Sequence, residues 1–162
     1  MAAFEYRQAE EIRDAFSRYQ VEYLFIGNAG AILLGYPDTT QDADLFLHKT
    51  TENCKSVVEA LRDLDFDLTD EQAAQILRGK DFVQLKNGPF DLDLVFAPDG
   101  IERFEDAWNR RVTVEGFPVC HIDDIIASKE AANRQKDRQT LPRLKSFRNY
   151  LKEKGLPQPN TL

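Results

Sequence analysis

The order of hydrophobic and polar positions predicts short strands that alternate with amphipathic helices. Apolar residues recur at helical spacing over residues 5–19, and residues 21–26 form a continuous apolar run typical of a buried strand. Residues 28–35 predict a short helix bounded by glycines. Residues 42–48, with the sequence DADLFLH, alternate in the manner of a second strand.

The remaining pattern predicts five more helices and two β-hairpins. One hairpin is expected to turn at Asn87–Gly88 and the other at Glu115–Gly116, and Pro142 is expected near the first turn of the last helix. In chain order, these elements are helices over 50–64 and 69–79, a hairpin over 81–96, a helix over 101–110, a hairpin over 111–122, and helices over 123–137 and 141–155.

Length and composition are those of a soluble globular protein. The chain has 162 residues, of which 42% are hydrophobic and 30% are charged. We expect one domain over residues 1–155 and a flexible tail over 156–162. No apolar run approaches the roughly 20 residues needed to cross a bilayer, and the charged N-terminal segment lacks the apolar core of a secretion signal. We therefore expect a cytoplasmic protein with no membrane partner, in which Cys54 and Cys120 are reduced thiols without metal spacing.

Charge is distributed unevenly along the chain. The formal net charge is −7, yet residues 129–154 contain nine Lys or Arg and only three Asp or Glu. A basic end on an acidic body could position a phosphate-rich partner at the junction. A solvated helical surface explains most of these side chains equally well.

Two predicted strands carry aspartates on alternate residues. Because side chains alternate across a strand, Asp42 and Asp44 share one face, while the apolar residues between and after them point into the core. Asp91 and Asp93 share a face of the second strand of the first hairpin in the same way. Aspartate is depleted in strands, so its occurrence twice in two strands favours a site over solvent-facing side chains.

Carboxylates held close together repel one another unless a cation is present. A hard divalent ion, Mg²⁺ (or Mn²⁺), takes oxygen ligands and typically binds one or two carboxylates together with substrate phosphates. Gly27, between the first strand and the short helix, would let the backbone approach a ligand, and Asn28 could hydrogen-bond a phosphate oxygen. A plain strand-to-helix turn is the alternative for this segment. It is not a P-loop and not a dinucleotide-binding fingerprint.

Taken together, these residues resemble the nucleotidyltransferase superfamily related to DNA polymerase β, and in particular its small bacterial members. The matching stretches are GYPDTTQDADLFL, TTENCKSVVEAL, FDLDLVF, FEDAWNRRVTV and DDIIASKEAANRQKDRQTLPRL, and the likeness extends over about residues 21–144. The resemblance implies an α/β (α+β) fold, with a small mixed β-sheet, helices packed on one side and C-terminal helices.

The resemblance also implies a role for each matching residue. Asp42 and Asp44 match the first two metal-binding carboxylates, and Asp93 matches the third, which can act as general base; Asp91 is a weaker candidate. All three matching aspartates are thus both catalytic and metal-binding candidates. The nucleotide-binding candidates are Gly27, Asn28 and Lys129, although relatives usually have Gly-Gly or Gly-Ser where this chain has Gly27–Asn28.

Lys129 falls on the same helical stripe as three isoleucines, so its charge needs a partner. A carboxylate cluster or a bound triphosphate could supply it, or Lys129 could extend to solvent and pair with Asp123 or Glu130. Arg134 and Lys136 could extend a basic rim. Other side chains are interpreted as structural: His48 at the end of a strand, and Phe104 and Trp108 in the core.

These features predict an Mg²⁺-dependent nucleotidyltransferase. It would transfer a nucleoside monophosphate from an NTP to an acceptor hydroxyl and release pyrophosphate. The acceptor could be a tRNA, a protein or a small molecule, and a toxin–antitoxin partner protein is possible because some members of the family belong to such pairs. The alternative is a non-catalytic member of the same fold that binds a nucleotide or a partner.

Overall fold

The computed structural model describes residues 3–155, and the predicted tail over 156–162 lies outside the described residues. The chain forms one six-stranded mixed sheet with helices on it. In chain order, the elements are α1 (Tyr6–Arg18), β1 (Tyr23–Ile26), α2 (Gly27–Leu33), β2 (Asp42–Leu47), α3 (Thr51–Asp63), α4 (Asp70–Leu77), β3 (Phe82–Leu85), β4 (Asp91–Val95), α5 (Phe104–Asn109), β5 (Val112–Val114), β6 (Phe117–Val119), α6 (Ile122–Ala132) and α7 (Gln135–Glu153).

The strands lie in the order β3-β4-β2-β1-β6-β5. The two predicted hairpins, β3–β4 and β5–β6, form its antiparallel ends, and β1 and β2 are antiparallel at its centre. The remaining pairs, β2–β4 and β1–β6, are parallel. The predicted mixed sheet is therefore confirmed, and the parallel pairing of β2 with β4 joins the two strands that carry aspartates.

Helices cover both faces of the sheet. The main core lies under α1, α3 and α4, where Phe16, Leu61 and Ile76 pack on the inward side chains of the strands. On the opposite face, Phe104 of α5 and Ile125 of α6 pack against a second, smaller apolar cluster. The sequence-based expectation of helices on one side is correct for the main layer and omits this second layer, because an apolar stripe shows that a helix is buried but not which face of the sheet it covers.

The C-terminal helices differ from the sequence-based prediction. Asn133 adopts a left-handed conformation with φ 50° and ends α6, so the predicted helix over 123–137 is two elements. Asp137 then caps the start of α7, because its carboxylate accepts hydrogen bonds from the main-chain N–H and the guanidinium of Arg134. Pro142 lies inside α7 rather than near its first turn, where it leaves the carbonyl of Arg138 without a helical N–H donor.

Candidate active site

A cavity of about 480 Å³ lies where the ends of the central strands meet α6 and α7. Its floor comes from β2 and β4, and its walls come from β3, residues 97–99 and the C-terminal helices. All six candidate residues from the sequence line it, namely Gly27, Asn28, Asp42, Asp44, Asp93 and Lys129. Arg134 and Lys136 line it as well, whereas Asp91 does not belong to its lining.

The parallel register of β2 and β4 brings the aspartates together. Asp42 is opposite Asp91, and Asp44 is opposite Asp93. The predicted strand faces are confirmed, since the residues that alternate with these aspartates are buried in the main core. Asp44 and Asp93 come from strands separated by two helices and a third strand, and this register makes them neighbours on one face.

Burial and mutual repulsion disfavour the charged forms of the two central carboxyls. Burial, followed by the charge of Asp93, raises the pKa of Asp44 to about 7. Burial also raises the pKa of Asp93, and the charge of Asp42 adds to the effect. Because the two carboxyls are neighbours, ionisation of one disfavours ionisation of the other. A bound cation would therefore stabilise the ionised forms of both carboxyls.

The donor chemistry of the cavity fits a divalent cation. Asp93 is 8% exposed, and its Oδ1 atom has no hydrogen-bond partner among the described residues. Within residues 3–155, no group of three His, Cys, Asp or Glu side chains is arranged to hold a metal ion. Mg²⁺ commonly binds one or two carboxylates and completes its shell with water and substrate phosphates, so the Asp44–Asp93 pair is a suitable donor set.

Gly27 places the main chain directly against Asp44. Its φ is +67°, and a Cβ atom at this position would lie 2.3 Å from Oδ2 of Asp44. A side chain is therefore excluded for two reasons, the left-handed conformation and the contact. Asn28 follows, and its Oδ1 atom is buried with no partner among the described residues. The oxygen and nitrogen of an amide are assigned from their hydrogen bonds, so this atom marks a position where either a donor or an acceptor can meet a ligand.

Lys129 is buried at the wall of the cavity and pairs with a residue that the sequence did not suggest. Its Nζ atom lies 3.6 Å from Oδ1 of Asp137, which is fully buried, rather than beside Asp123 or Glu130. Arg134 also binds Asp137, with 2.8 Å between Nε and Oδ2. Burial lowers the pKa of Lys129, and the charges of Asp137 and Asp44 oppose that effect. Asp137 thus connects two cavity-lining cations.

Three further residues were missed from sequence. The role of Asp137 was not predicted because residues 123–137 were interpreted as one helix. The three-residue spacing of Arg134 and Asp137, which is that of a capping box, was the signal for a new helix start. Phe82 and Gln84 of β3 line the cavity, and their alternation with buried Val83 and Leu85 was the signal that could have placed them beside Asp93.

The remaining predicted structural residues take the roles expected of them. Phe104 is buried in the second apolar cluster and stacks with Trp108, with 5.7 Å between the ring centroids. His48 stacks on Phe104 and lies 2.9 Å from a carboxylate oxygen of Glu105, so it contributes to the α5 surface. Cys54 and Cys120 are both free and buried. No described helix has the length and apolarity required to span a membrane.

Solved structures resemble this fold although their sequences have diverged. A crystal structure of the lincosamide antibiotic adenylyltransferase LnuA with lincomycin bound superposes with a TM-score of 0.63 at 14% identity, over 90% of this chain and 99% of that one. A putative nucleotidyltransferase from Thermotoga maritima superposes with a TM-score of 0.52 at 15% identity, over 91% and 92% of the two chains. No protein-family model and no curated protein matches the sequence. The chain therefore has the nucleotidyltransferase fold that its motifs predicted.

Proposed function

We propose that this protein is a nucleotidyltransferase that depends on Mg²⁺ or Mn²⁺ and transfers a nucleoside monophosphate from an NTP to an acceptor hydroxyl. The observation that carries the proposal is the parallel register of Asp44 with Asp93 in a cavity whose walls also contain Gly27 and Lys129. The fold adds support, because both similar solved structures are described as nucleotidyl- or adenylyltransferases.

The reaction forms a bond between the acceptor oxygen and the α-phosphorus of the NTP. The bond from that phosphorus to the oxygen that bridges to the β-phosphate breaks, and pyrophosphate leaves with the electron pair. The proton of the acceptor hydroxyl passes to a carboxylate, for which Asp93 is the candidate because its buried Oδ1 atom has no partner within residues 3–155. Asp93 is thus proposed as the general base.

The other residues bind and orient the nucleotide. The Asp44–Asp93 pair is proposed to hold the metal, and Asp42, which lines the same cavity, is proposed to join it when the nucleotide is bound. A bound divalent ion would neutralise phosphate charge and polarise the α-phosphate. Gly27 lets the main chain lie against the carboxylate of Asp44 at the cavity, and Asn28 offers an amide to the phosphate oxygens. Lys129, with Arg134 and Lys136 beyond it, supplies positive charge to the triphosphate.

The experiment is nucleotide binding and transfer by the full chain. Calorimetry with Mg²⁺ and each of the four NTPs measures binding, and α-labelled NTPs incubated with total tRNA or cell extract measure transfer. We expect Mg²⁺-dependent binding of at least one NTP and transfer of label, both lost in the Asp44→Asn variant. Absence of binding and of transfer in the unaltered protein would refute the catalytic proposal.

A non-catalytic function is the second candidate, in which the fold binds a partner protein such as the other member of a toxin–antitoxin pair. A surface beside α7 favours it, because Tyr36, Phe147 and Tyr150 form an aromatic row in which Tyr150 is 50% exposed. If the Asp42→Asn, Asp44→Asn double variant kept every cellular effect of the protein, this function would replace the catalytic one.

A further inference from the structure

The edge strand β3 presents an exposed aromatic ring to the cavity. Phe82 is 47% exposed. The other large hydrophobic side chains exposed to this extent within residues 3–155 are Tyr6, Leu77 and Tyr150, and none of them lines this cavity. Soluble proteins usually keep large apolar side chains off their edge strands, because such strands invite aggregation. An exposed phenylalanine beside the Asp44–Asp93 pair therefore points to a ligand that covers it.

The same strand places a polar side chain next to the proposed general base. Phe82 is opposite Val95 and Gln84 is opposite Asp93 in the antiparallel register, so both β3 side chains share the cavity face with Asp93. The polar side chain of Gln84 opposes the rise in the pKa of Asp93. The Oδ1 atom of Asp93 has no hydrogen-bond partner among the described residues. A hydroxyl lying over β3 could therefore donate its hydrogen bond to this oxygen.

The order of the strands separates two sides of the reaction centre. Asp93 of β4 and Asp44 of β2 lie at its middle, with β3 on one side and β1, which leads into Gly27 and Asn28, on the other. In phosphoryl-type transfer the attacking and leaving oxygens are roughly in line. If the triphosphate lies on the side of Gly27, the acceptor approaches from the side of β3.

Charge distinguishes the two sides as well. The cations that line the cavity, Lys129, Arg134 and Lys136, all come from α6 and the start of α7. The lining residues next to β3 are apolar, neutral or acidic, with Asp81 before Phe82 and Val95 beside it. Lys86, whose charge reaches Asp93 from this side and lowers its pKa, is exposed and outside the lining. This side is poorly suited to a polyanionic acceptor such as RNA.

We propose that β3 is the acceptor subsite and that the acceptor is a small, neutral or cationic hydroxyl compound whose apolar face lies on Phe82. The cavity of about 480 Å³ is within the range of small-molecule sites. The acceptor hydroxyl loses its proton to Asp93 as its oxygen bonds to the α-phosphorus, and pyrophosphate leaves toward Gly27. This inference rests on the proposed nucleotidyl transfer and specifies its acceptor.

The test distinguishes a small acceptor from a tRNA or a protein acceptor. The full chain is incubated with Mg²⁺, α-labelled NTPs and a cell extract that has been divided into a low-mass fraction, a tRNA fraction and a protein fraction. Phe82→Ala and Phe82→Trp are compared with Leu77→Ala, a matched control because Leu77 is 46% exposed and lies away from the cavity. For each variant, calorimetry also measures the affinity for the NTP in the presence of Mg²⁺.

We expect label in the low-mass fraction. Phe82→Ala lowers that transfer about tenfold, the loss that corresponds to an aromatic contact, while NTP binding stays unchanged. Phe82→Trp and Leu77→Ala keep the transfer. The inference is overturned if label enters tRNA or protein instead, if no fraction is labelled although the NTP binds, if Phe82→Ala transfers normally, or if it loses NTP binding in parallel. Absence of NTP binding in the unaltered protein would refute the proposed function itself.

Discussion

The carboxylate of Asp137 holds the ammonium of Lys129 at the wall of the cavity, with 3.6 Å between Oδ1 and Nζ. The same carboxylate accepts hydrogen bonds from the main-chain N–H and the guanidinium of Arg134. Asp137 is fully buried and does not belong to the cavity lining, whereas both cations do. A residue that does not itself reach the ligand therefore orients two groups proposed to bind the triphosphate.

Replacing Asp137 by Asn is expected to weaken binding of ATP with Mg²⁺ about tenfold, because Lys129 and Arg134 lose the charge that orients them. Calorimetry measures the affinity. If Asp137 acts through Lys129, the loss disappears in a Lys129→Met background, so the two substitutions are non-additive.

Asp124→Asn is the matched control for this experiment. Asp124 is also a buried carboxylate outside the cavity lining, and it accepts two hydrogen bonds of 3.0 Å from Arg110. We expect Asp124→Asn to lower the melting temperature as Asp137→Asn does, yet to leave ATP affinity unchanged. Equal loss of affinity in the two variants would show that Asp137 has only a structural role.

The stability of the metal-free protein is expected to fall as the pH rises from about 5 to 8. The ordinary pKa of Asp44 is 3.8, and burial with the charge of Asp93 raises it to about 7 in the folded protein. Between these values the folded state binds more protons than the unfolded state, so the free energy of unfolding decreases with rising pH. Urea denaturation in the presence of EDTA at several pH values measures this slope.

One substitution and one added ion should each change the dependence of the unfolding free energy on pH. Asp44→Asn removes the buried charge and should stabilise the metal-free protein at about pH 8 by about 1–3 kcal/mol. Excess Mg²⁺ should stabilise the unaltered protein more at about pH 8 than at about pH 5, since it binds the ionised carboxylates. A slope that is unaffected by both changes would contradict the assignment of the buried charge to this pair.

Gly27→Ala is expected to destabilise the protein by about 2–4 kcal/mol, because the added Cβ meets a carboxylate oxygen of Asp44 and the backbone is left-handed. Gly155→Ala is the control: its φ is also +67°, but no contacting atom of residues 3–155 lies within 4 Å of the added Cβ. That variant should lose no more than about 1–2 kcal/mol. The difference between the two variants in unfolding free energy, measured by chemical denaturation, gives the contribution of the contact with Asp44. Equal losses of stability would mean that glycine is required at position 27 for its backbone conformation alone.

Substitutions at Asn28 should reveal which amide atom meets the nucleotide. If the amide donates to a phosphate oxygen, Asn28→Asp weakens NTP binding more than Asn28→Ala does, since a carboxylate cannot donate and repels the phosphate. Calorimetry with ATP and Mg²⁺ ranks the three proteins. Equal affinity in all three would exclude Asn28 from nucleotide binding.

Local pattern was sufficient to predict most elements and the faces of the strands. Alternation alone put Asp42 and Asp44 on the side of β2 opposite the core, and this parity depends only on neighbouring residues. The adjacency of β2 and β4 is non-local, and only the family resemblance suggested that Asp44 and Asp93 would meet. The fold could thus be predicted from motifs, whereas the pairing register of β2 with β4 is visible only in the structure.

The errors concentrate where tertiary contacts override local preference. The sequence pattern alone suggested that a helix begins near Pro142. Asn133 instead adopts a left-handed conformation between α6 and α7, and the Arg134–Asp137 pair begins α7. Asp137 consequently faces Lys129, a contact that no continuous helix over 123–137 would indicate. The exposed ring of Phe82 could not be predicted either, because alternation identifies its face but not whether another element covers it.

The parallel pairing of β2 with β4 also bears on how the chain folds. Asp44 and Asp93 become neighbours only after the intervening segment with α3, α4 and β3 has crossed the sheet. During synthesis the antiparallel pair of β1 and β2 can form while its aspartates are still accessible to water, and their electrostatic penalty arises only when β4 docks. We therefore expect the carboxylate pair to assemble late in folding, and a divalent ion present at that moment would favour its completion.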